Sequence, residues 1–129
     1  MMGVPIGTGS PMTEWDVAAV LRVLDCARLP LDDEKLLQTA MALRFTAAGI
    51  AHEREKSLGD GDIVDFLIGG VAVEVKIKGA RAAIYRQCAR YCAHDAVTAI
   101  ILATNIAMAL PERVGGKPAF VAMLGSGWL

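Results

Sequence analysis

Two carboxylates stand on neighbouring predicted strands, in positions from which they could act together. Apolar, β-branched runs at 63–68 and 71–77 are joined by the glycine pair 69–70, and such a pair between two such runs predicts a β-hairpin. Counting back from the turn places Asp65 directly opposite Glu74. Directly opposite Cβ atoms lie about 4.5–5.5 Å apart, and like charges there destabilise a sheet. A divalent cation between the carboxylates would reverse the sign of that interaction.

The two faces of this hairpin differ in polarity. Because side chains alternate along a strand, Asp65, Glu74 and Lys76 share one face. The opposite face is apolar and is predicted to be core: Val64, Phe66, Ile68, Val71, Val73, Val75 and Ile77. On the polar face Mg²⁺ or Mn²⁺ would find oxygen ligands, and Lys76 could orient or deprotonate a water or balance charge on a phosphate. The simpler alternative is a solvent-facing ion-pair cluster of the same three residues.

An Asp followed, after a hairpin turn, by Glu-x-Lys resembles the signature of the PD-(D/E)XK nuclease superfamily. Here it reads Asp65, eight intervening residues, then Glu74, Val75 and Lys76, with Val64 at the position of the superfamily's proline. The resemblance implies that Asp65, Glu74 and the Val75 carbonyl bind Mg²⁺ or Mn²⁺. It also implies that Lys76 positions or activates a water whose pKa the metal lowers, and that the reaction is hydrolysis of phosphodiester bonds in DNA.

A second motif lies in the helix predicted over 80–93. Gln87 and Tyr91 are four residues apart and therefore on one helical face, and they resemble the Q-x-x-x-Y motif of RecB-type members of the superfamily. The resemblance implies that Gln87 lies near the active centre, where it contacts DNA or helps to orient catalytic groups, and that Tyr91 contacts the nucleic acid. From the residues alone, the alternative is that Tyr91 packs in the core with Gln87 at the helix margin.

The superfamily also supplies an acidic residue from its first core helix, and two residues here are candidates for it. Glu34 is the acid at the start of the helix that precedes the three predicted strands. A favourable interaction with the helix dipole explains a glutamate at that position equally well. Glu55, on the first of the predicted strands, is the alternative third carboxylate, and the sequence does not choose between the two.

Basic residues cluster around this region although the whole chain is nearly neutral. Lys78 and Arg81 follow the strand that carries Lys76, and Arg86 and Arg90 lie one turn apart on the next helix. The net charge of −1 excludes a protein that holds nucleic acid by global attraction. A local patch of these residues would still bind DNA phosphates. A solvated helix face is the alternative interpretation of Arg86 and Arg90.

The predicted elements form one α/β domain, with a central mixed sheet flanked by helices. We expect a flexible leader over 1–12 and a single domain over 13–129. The predicted elements are a helix that ends before Pro30, a helix from Asp32 or Asp33 to Gly49, strands at 50–58, 63–68 and 71–77, a helix at 80–93, a strand at 97–104, a short helix within 105–114 and a strand at 119–124. Residues 33–105 resemble the restriction-endonuclease-like αβββαβ core, to which an N-terminal helix and a short C-terminal strand are added.

Composition limits the class of protein further. The 129 residues are 54% hydrophobic, which excludes a mostly disordered chain, and no apolar run reaches the roughly 20 residues of a membrane span. The three cysteines are sparse and odd in number, which does not suit a disulfide framework, so we expect a cytoplasmic protein of a bacterium or a phage. The apolar surplus favours a homo-oligomer, and we expect a dimer.

Together these patterns predict a small Mg²⁺- or Mn²⁺-dependent deoxyribonuclease that recognises DNA structure or ends more than base sequence. The superfamily's small Holliday-junction resolvases and VRR-type nucleases make a dimer on branched DNA the expected form. The RecB-like motif equally suits an exonuclease in repair, recombination or phage DNA processing. The alternative function is that of a catalytically inactive protein of nuclease fold, which binds DNA or a protein partner.

Overall fold

The structure is a computed structural model that describes residues 14–125, so the predicted leader over 1–12 lies outside the described residues. Three helices and six strands follow one another within them: α1 (Glu14–Cys26), α2 (Glu34–Ala47), β1 (Glu53–Gly59), β2 (Asp62–Ile68), β3 (Val71–Lys76), α3 (Arg81–Cys92), β4 (Ala99–Thr104), β5 (Arg113–Val114) and β6 (Lys117–Met123). None of these helices is long and apolar enough to cross a membrane.

All six strands belong to one mixed sheet, in the order β1-β2-β3-β4-β6-β5. β1, β2 and β3 pair as antiparallel neighbours, whereas β4 is parallel to β3 and β6 is parallel to β4. The step from β3 to β4 passes through α3, because parallel neighbours need a crossover connection. The carboxyl ends of β3 and β4 therefore meet at the same edge of the sheet.

Two apolar cores lie on opposite faces of this sheet. α1 and α2 cover one face, where Leu37 and Phe45 pack against alternate residues of the central strands. α3 covers the other face with Ile84 and Tyr91. β4 contributes side chains to both cores, so every residue over 99–104 is buried. The predicted α/β architecture, a mixed sheet flanked by helices, is confirmed.

β2 and β3 form the predicted hairpin, and glycine geometry makes its turn possible. The ladder pairs residues 66–68 with residues 71–73, which leaves two residues in the turn. Gly69 has a φ of 62°, in the left-handed region, whereas the φ of Gly70 is not positive. Positive φ at the first turn residue alone is the pattern of a type II′ turn, whose twist matches that of the flanking strands.

The alternation of side chains along β2 is broken at Asp65. Val64 lies in the core beneath α3, whereas Phe66 lies in the core beneath α1 and α2. The prediction that Val64 shares the face of Phe66 is therefore wrong. The ladder with β3 ends at the pair Phe66–Val73, so it does not include the predicted pair of Asp65 with Glu74. Beyond that end, β2 changes faces across Asp65. β1 is irregular at the same level, between its pairs Arg54–Phe66 and Lys56–Val64, where Glu55 has a φ of 48°.

Three of the four predicted helices and all five predicted strands are confirmed, with ends that differ from the predicted ones by a few residues. α2 is capped by Asp33 and not by Asp32. The Asp33 carboxylate accepts hydrogen bonds from the amides of Lys35 and Leu36 at 2.8 and 3.1 Å. These bonds satisfy two of the amides that a helix N-terminus leaves without intrahelical partners, and they fix where α2 begins.

The short helix predicted within 105–114 is wrong. Residues 105–112 are irregular, and residues 113–114 form β5, which pairs with the start of β6. Pro111 has no amide hydrogen for a helical bond, so it prevents a helix that runs through this segment. The result is a loop that leaves the carboxyl end of β4 and passes beside α3 before it returns to the sheet.

Candidate active site

Where the ladder of the hairpin ends, carboxylates hold β2 and β3 together. The backbone amide of Val75 donates a hydrogen bond to Oδ2 of Asp65 at 2.8 Å. The backbone amide of Asp65 donates one to Oε1 of Glu74 at 3.3 Å. Each carboxylate therefore binds the strand that carries the other. The two side chains predicted to bind a metal are brought together at the carboxyl end of β3.

Glu74 is a buried carboxylate with an unusual charge environment. Its side chain is only 4% exposed, and burial together with the neighbouring Asp65 charge raises the pKa of Glu74 to about 8. Burial also raises the pKa of Asp65, although the Val75 amide opposes that change. Lys76 Nζ lies 3.7 Å from Glu74 Oε2 and offsets part of the repulsion. Because two carboxylates lie beside only one lysine, this position stabilises a further positive charge.

The donor atoms here suit a hard divalent cation. In a strand the N–H and C=O groups of one residue point the same way, so the Val75 carbonyl faces β2 together with the amide that binds Asp65. Among residues 14–125, no three or more His, Cys, Asp or Glu side chains form a group that could hold a metal ion. The set of Asp65, Glu74 and one carbonyl instead matches Mg²⁺ sites that use one or two carboxylates and complete the shell with water and substrate phosphate. Mn²⁺ accepts the same ligands.

Of the two candidates for a third carboxylate, Glu34 lies at this site. Its Oε2 accepts a hydrogen bond at 3.3 Å from the amide of Ile77, the residue that follows β3. The charge of Glu34 also contributes to the raised pKa of Asp65. Glu55 is instead paired on the surface with Lys35, at 3.1 Å, on the edge strand β1. Glu34, and not Glu55, therefore lies beside the end of β3, near enough to raise the pKa of Asp65.

α3 supports Glu74 from behind through a chain of hydrogen bonds. Gln87 Nε2 donates to Tyr91 Oη at 2.8 Å, and Tyr91 Oη donates to the carbonyl of Ile63 at 2.9 Å. The same hydroxyl lies 3.5 Å from Oε2 of Glu74. Tyr91 is 2% exposed, so its ring packs in the core, as in the alternative interpretation, and is not available for the predicted contact with a nucleic acid. Gln87, half-buried, orients the Tyr91 hydroxyl.

The basic residues predicted to bind DNA differ in how far they are already engaged. Arg90 Nε is bound to Oδ1 of Asp62 at 3.2 Å. Arg81 donates at 3.0 Å to a main-chain carbonyl of the loop after β4. Lys78 and Arg86 are exposed, and within the described part of the chain no hydrogen bond or ion pair engages either of them. Lys78 and Arg86 therefore have their full charge available for a phosphate, whereas Arg90 has a structural partner.

A polar cluster at the start of β2 is not predicted by the sequence. Asp62 Oδ2 lies 2.8 Å from Nε2 of His94, and its other oxygen binds Arg90. The main-chain carbonyl of His94 accepts a 2.7 Å hydrogen bond from Nζ of Lys117. The two contacts of Asp62 fasten the start of β2 to the end of α3, next to Ile63, and the contact of Lys117 fastens β6 to the same place. Asp62 and His94 are 32 positions apart, and no spacing rule links residues at that distance.

Comparisons with known proteins do not identify a relative of this chain. No family model matches the chain, no curated protein matches its sequence, and no solved structure matches its fold. A functional conclusion therefore depends on the residues of the site and their arrangement.

Proposed function

We propose that this chain is a Mg²⁺- or Mn²⁺-dependent nuclease of the PD-(D/E)XK type that hydrolyses phosphodiester bonds in DNA. One observation carries the proposal: Asp65 and Glu74, both with raised pKa values, lie together beside Lys76 at the end of β3. Bringing two carboxylates into a buried place destabilises a fold unless a cation or a proton compensates. Groups perturbed in this way are concentrated at functional sites.

Each residue has its own part in this proposal. Asp65, Glu74 and the Val75 carbonyl hold the cation, which when bound lowers the pKa of a water and stabilises charge on the phosphate. Lys76 is one-quarter exposed, so its ammonium reaches both Glu74 and an incoming phosphate or water. Glu34 adds an acidic group from the start of α2. Holding these groups in place before substrate arrives is what makes such a site effective.

The order of the elements supports the same class. From α2 to β4 the chain runs helix, three strands, helix and strand. The restriction-endonuclease-like core has the same αβββαβ order, and the acidic residues of this chain stand on α2, β2 and β3. In this proposal α1 precedes the core, and β5 and β6 extend its sheet.

Cleavage assays test the proposal directly. The full chain is incubated with supercoiled plasmid, blunt duplex, a four-way junction and single-stranded DNA, in Mg²⁺, in Mn²⁺ and in EDTA. We expect cleavage of at least one substrate that requires a divalent metal. Glu74→Gln keeps the size of the side chain but removes its charge, and we expect the rate to fall by about 100-fold or more, equivalent to ~2.7 kcal/mol of activation free energy.

Glu55→Gln is the matched control, since it makes the same change on a surface carboxylate outside the site. It should cleave like the wild type. The proposal is refuted if no substrate is cut in either metal, or if Glu74→Gln cuts as fast as the control. Metal-independent binding of DNA without any cleavage would favour the alternative, a nuclease-fold protein that binds but does not cut.

A further inference from the structure

A groove beside α3 is not used by the carboxylate site. It lies between the first turns of α3 and the loop that follows β4, and its volume is about 640 Å³. Arg81, Tyr85 and Arg86 line it from the helix, and Met108 and Pro111 line it from the loop. Arg81 and Tyr85 are four residues apart and therefore project from the same side of α3. The groove thus combines an aromatic ring, two guanidinium groups and an apolar wall.

This groove opens at the same edge of the sheet as the carboxylates. The hydroxyl of Thr104, the last residue of β4, donates to the carbonyl of Lys76 at 2.6 Å and accepts a hydrogen bond from the amide of Ile106 at 3.0 Å. The loop that forms one wall is therefore fixed directly to the end of β3, where Lys76 lies. In open α/β sheets, ligands bind outside the carboxyl ends of the strands, and the groove has that location.

The chemistry of the groove fits a flat anionic ligand. Tyr85 is 39% exposed, although it is a large aromatic residue. Arg81 is anchored through one N–H to the carbonyl of Ala107, which holds its guanidinium at the wall and leaves its remaining donors available. Arg86 is exposed and unpaired within residues 14–125, and no lining residue is acidic. An aromatic platform with arginines beside it is the arrangement that stacks a base and binds its phosphate.

We infer that this groove binds an unpaired nucleotide of the DNA substrate, with the base against Tyr85 and Met108 and the phosphate between Arg81 and Arg86. The inference rests on the proposed nuclease function and narrows its substrate to DNA with a single-stranded segment, such as a frayed end, a flap or a branch. In a continuous duplex each base is stacked between its neighbours and does not offer a free face to Tyr85. A duplex therefore gains only the phosphate contacts.

Binding measured without metal tests the groove separately from catalysis. Fluorescence anisotropy in EDTA compares a labelled 15-nucleotide single strand of mixed sequence with a blunt duplex of the same length. We expect the wild type to bind the single strand more tightly. Tyr85→Ala and Tyr85→Leu should weaken single-strand binding by about 5- to 100-fold, since stacking is lost, while Tyr85→Phe should retain it. Arg86→Ala should weaken binding and reduce the salt slope by about 0.7.

Leu43→Ala and Arg44→Ala are the controls, because both are exposed residues on α2, on the other face of the sheet, and neither should change binding. Thermal melts establish that each variant is folded. Unchanged single-strand affinity in Tyr85→Ala and Tyr85→Leu refutes the inference, as does equal loss of duplex and single-strand binding. A wild type that binds neither DNA, or that prefers the duplex, also refutes it. Groove-dependent binding without cleavage would refute the nuclease alone, and cleavage without groove-dependent binding would refute the groove alone.

Discussion

The main-chain amide of Val75 donates a 2.8 Å hydrogen bond to the carboxylate of Asp65 across the point where β2 leaves β3. A strand pair that loses its ladder normally exposes unpaired backbone groups, and here a side chain satisfies one of them. The same irregularity places Asp65 next to Glu74, and the Val75 carbonyl faces β2 beside them. The local break in the sheet and the candidate metal site are thus one structural feature.

The buried carboxylate Glu74 makes the metal-free protein sensitive to pH. Its pKa is about 8 in the folded protein and 4.5 as the ordinary value, so the folded state holds a proton that the unfolded state releases. Stability therefore falls as the pH rises from about 4.5 to about 8. Glu74→Gln removes that fall. We expect its Tm in EDTA to exceed that of the wild type by more at pH 9 than at pH 5, by about 4 °C for each ~1 kcal/mol of penalty removed.

Parallel Tm-against-pH curves for the two proteins would contradict this account of Glu74. Addition of Mn²⁺ at pH 8 provides the complementary measurement. Because a ligand that binds only the folded state stabilises it, Mn²⁺ should raise the Tm of the wild type and not that of Glu74→Gln. An equal rise in both proteins would place the binding site elsewhere.

The third carboxylate gives a prediction that separates two glutamates. Glu34→Gln keeps an oxygen for the amide of Ile77 but removes the charge near Asp65, so we expect nearly unchanged stability and cleavage slowed by about 10- to 100-fold. Glu55→Gln should leave cleavage unchanged, because Glu55 lies outside the site. Its exposed ion pair with Lys35 contributes only about 0–1 kcal/mol to the free energy of unfolding, so the variant should also stay folded. Initial rates at saturating metal measure both variants, and the reverse ranking would reassign the third acid to Glu55.

The Tyr91 hydroxyl is expected to matter for stability because it is buried with three partners nearby. Tyr91→Phe leaves the Ile63 carbonyl and the Gln87 amide without that partner, and we expect a loss of about 1–3 kcal/mol in the free energy of unfolding. Urea denaturation measures it. Tyr85→Phe removes a hydroxyl from an exposed ring and should change stability by less than about 0.5 kcal/mol. Equal effects in the two variants would mean that the chain of hydrogen bonds behind Glu74 contributes nothing to the free energy of unfolding.

Asp62 should make stability depend on pH in the acid range, and in the opposite direction to Glu74. The hydrogen bond with His94 is the main cause that lowers the pKa of Asp62 below 3.8. This carboxylate stabilises the folded protein at pH values above its ordinary pKa, and that stabilisation is lost as the pH falls through its lowered pKa. Asp62→Asn should therefore be less stable than the wild type at pH 6, with a difference that shrinks at pH 3. Asp60→Asn, in the adjacent turn, should track the wild type at both values.

Periodicity was sufficient to predict five of the six strands, the three helices and the hairpin turn, because apolar alternation and glycine pairs are local signals. It failed at Val64, because β2 changes faces across Asp65 without a signature in the neighbouring residue types. The choice of Glu34 over Glu55 depended on where α2 packs against β3, which is a tertiary relationship. Asp62 and His94 likewise meet only because α3 crosses back over the sheet.

The two glycines of the hairpin turn are required for different reasons, and this gives a prediction that a double-mutant cycle can resolve. Gly69 has a φ of 62°, so a side chain there strains the backbone, and nothing lies within 4 Å of its added Cβ. Gly70 has no such strain, but its added Cβ would clash with Oγ1 of Thr98 and lie 2.9 Å from Cγ2 of the same residue. We expect Gly70→Ala to cost about 1–3 kcal/mol of stability and Gly69→Ala about 1–2 kcal/mol.

Thr98→Ala distinguishes the two causes, because it removes both atoms that approach the Gly70 position most closely. The Thr98 hydroxyl is buried without a hydrogen-bond partner among the described residues, so its loss should itself cost little. In the Thr98→Ala background, Gly70→Ala should lose most of its destabilising effect, whereas Gly69→Ala should keep all of it. Urea denaturation of the four double-cycle proteins for each glycine measures the coupling free energy. Additive effects at Gly70 would show that steric contact with Thr98 is not what requires a glycine there.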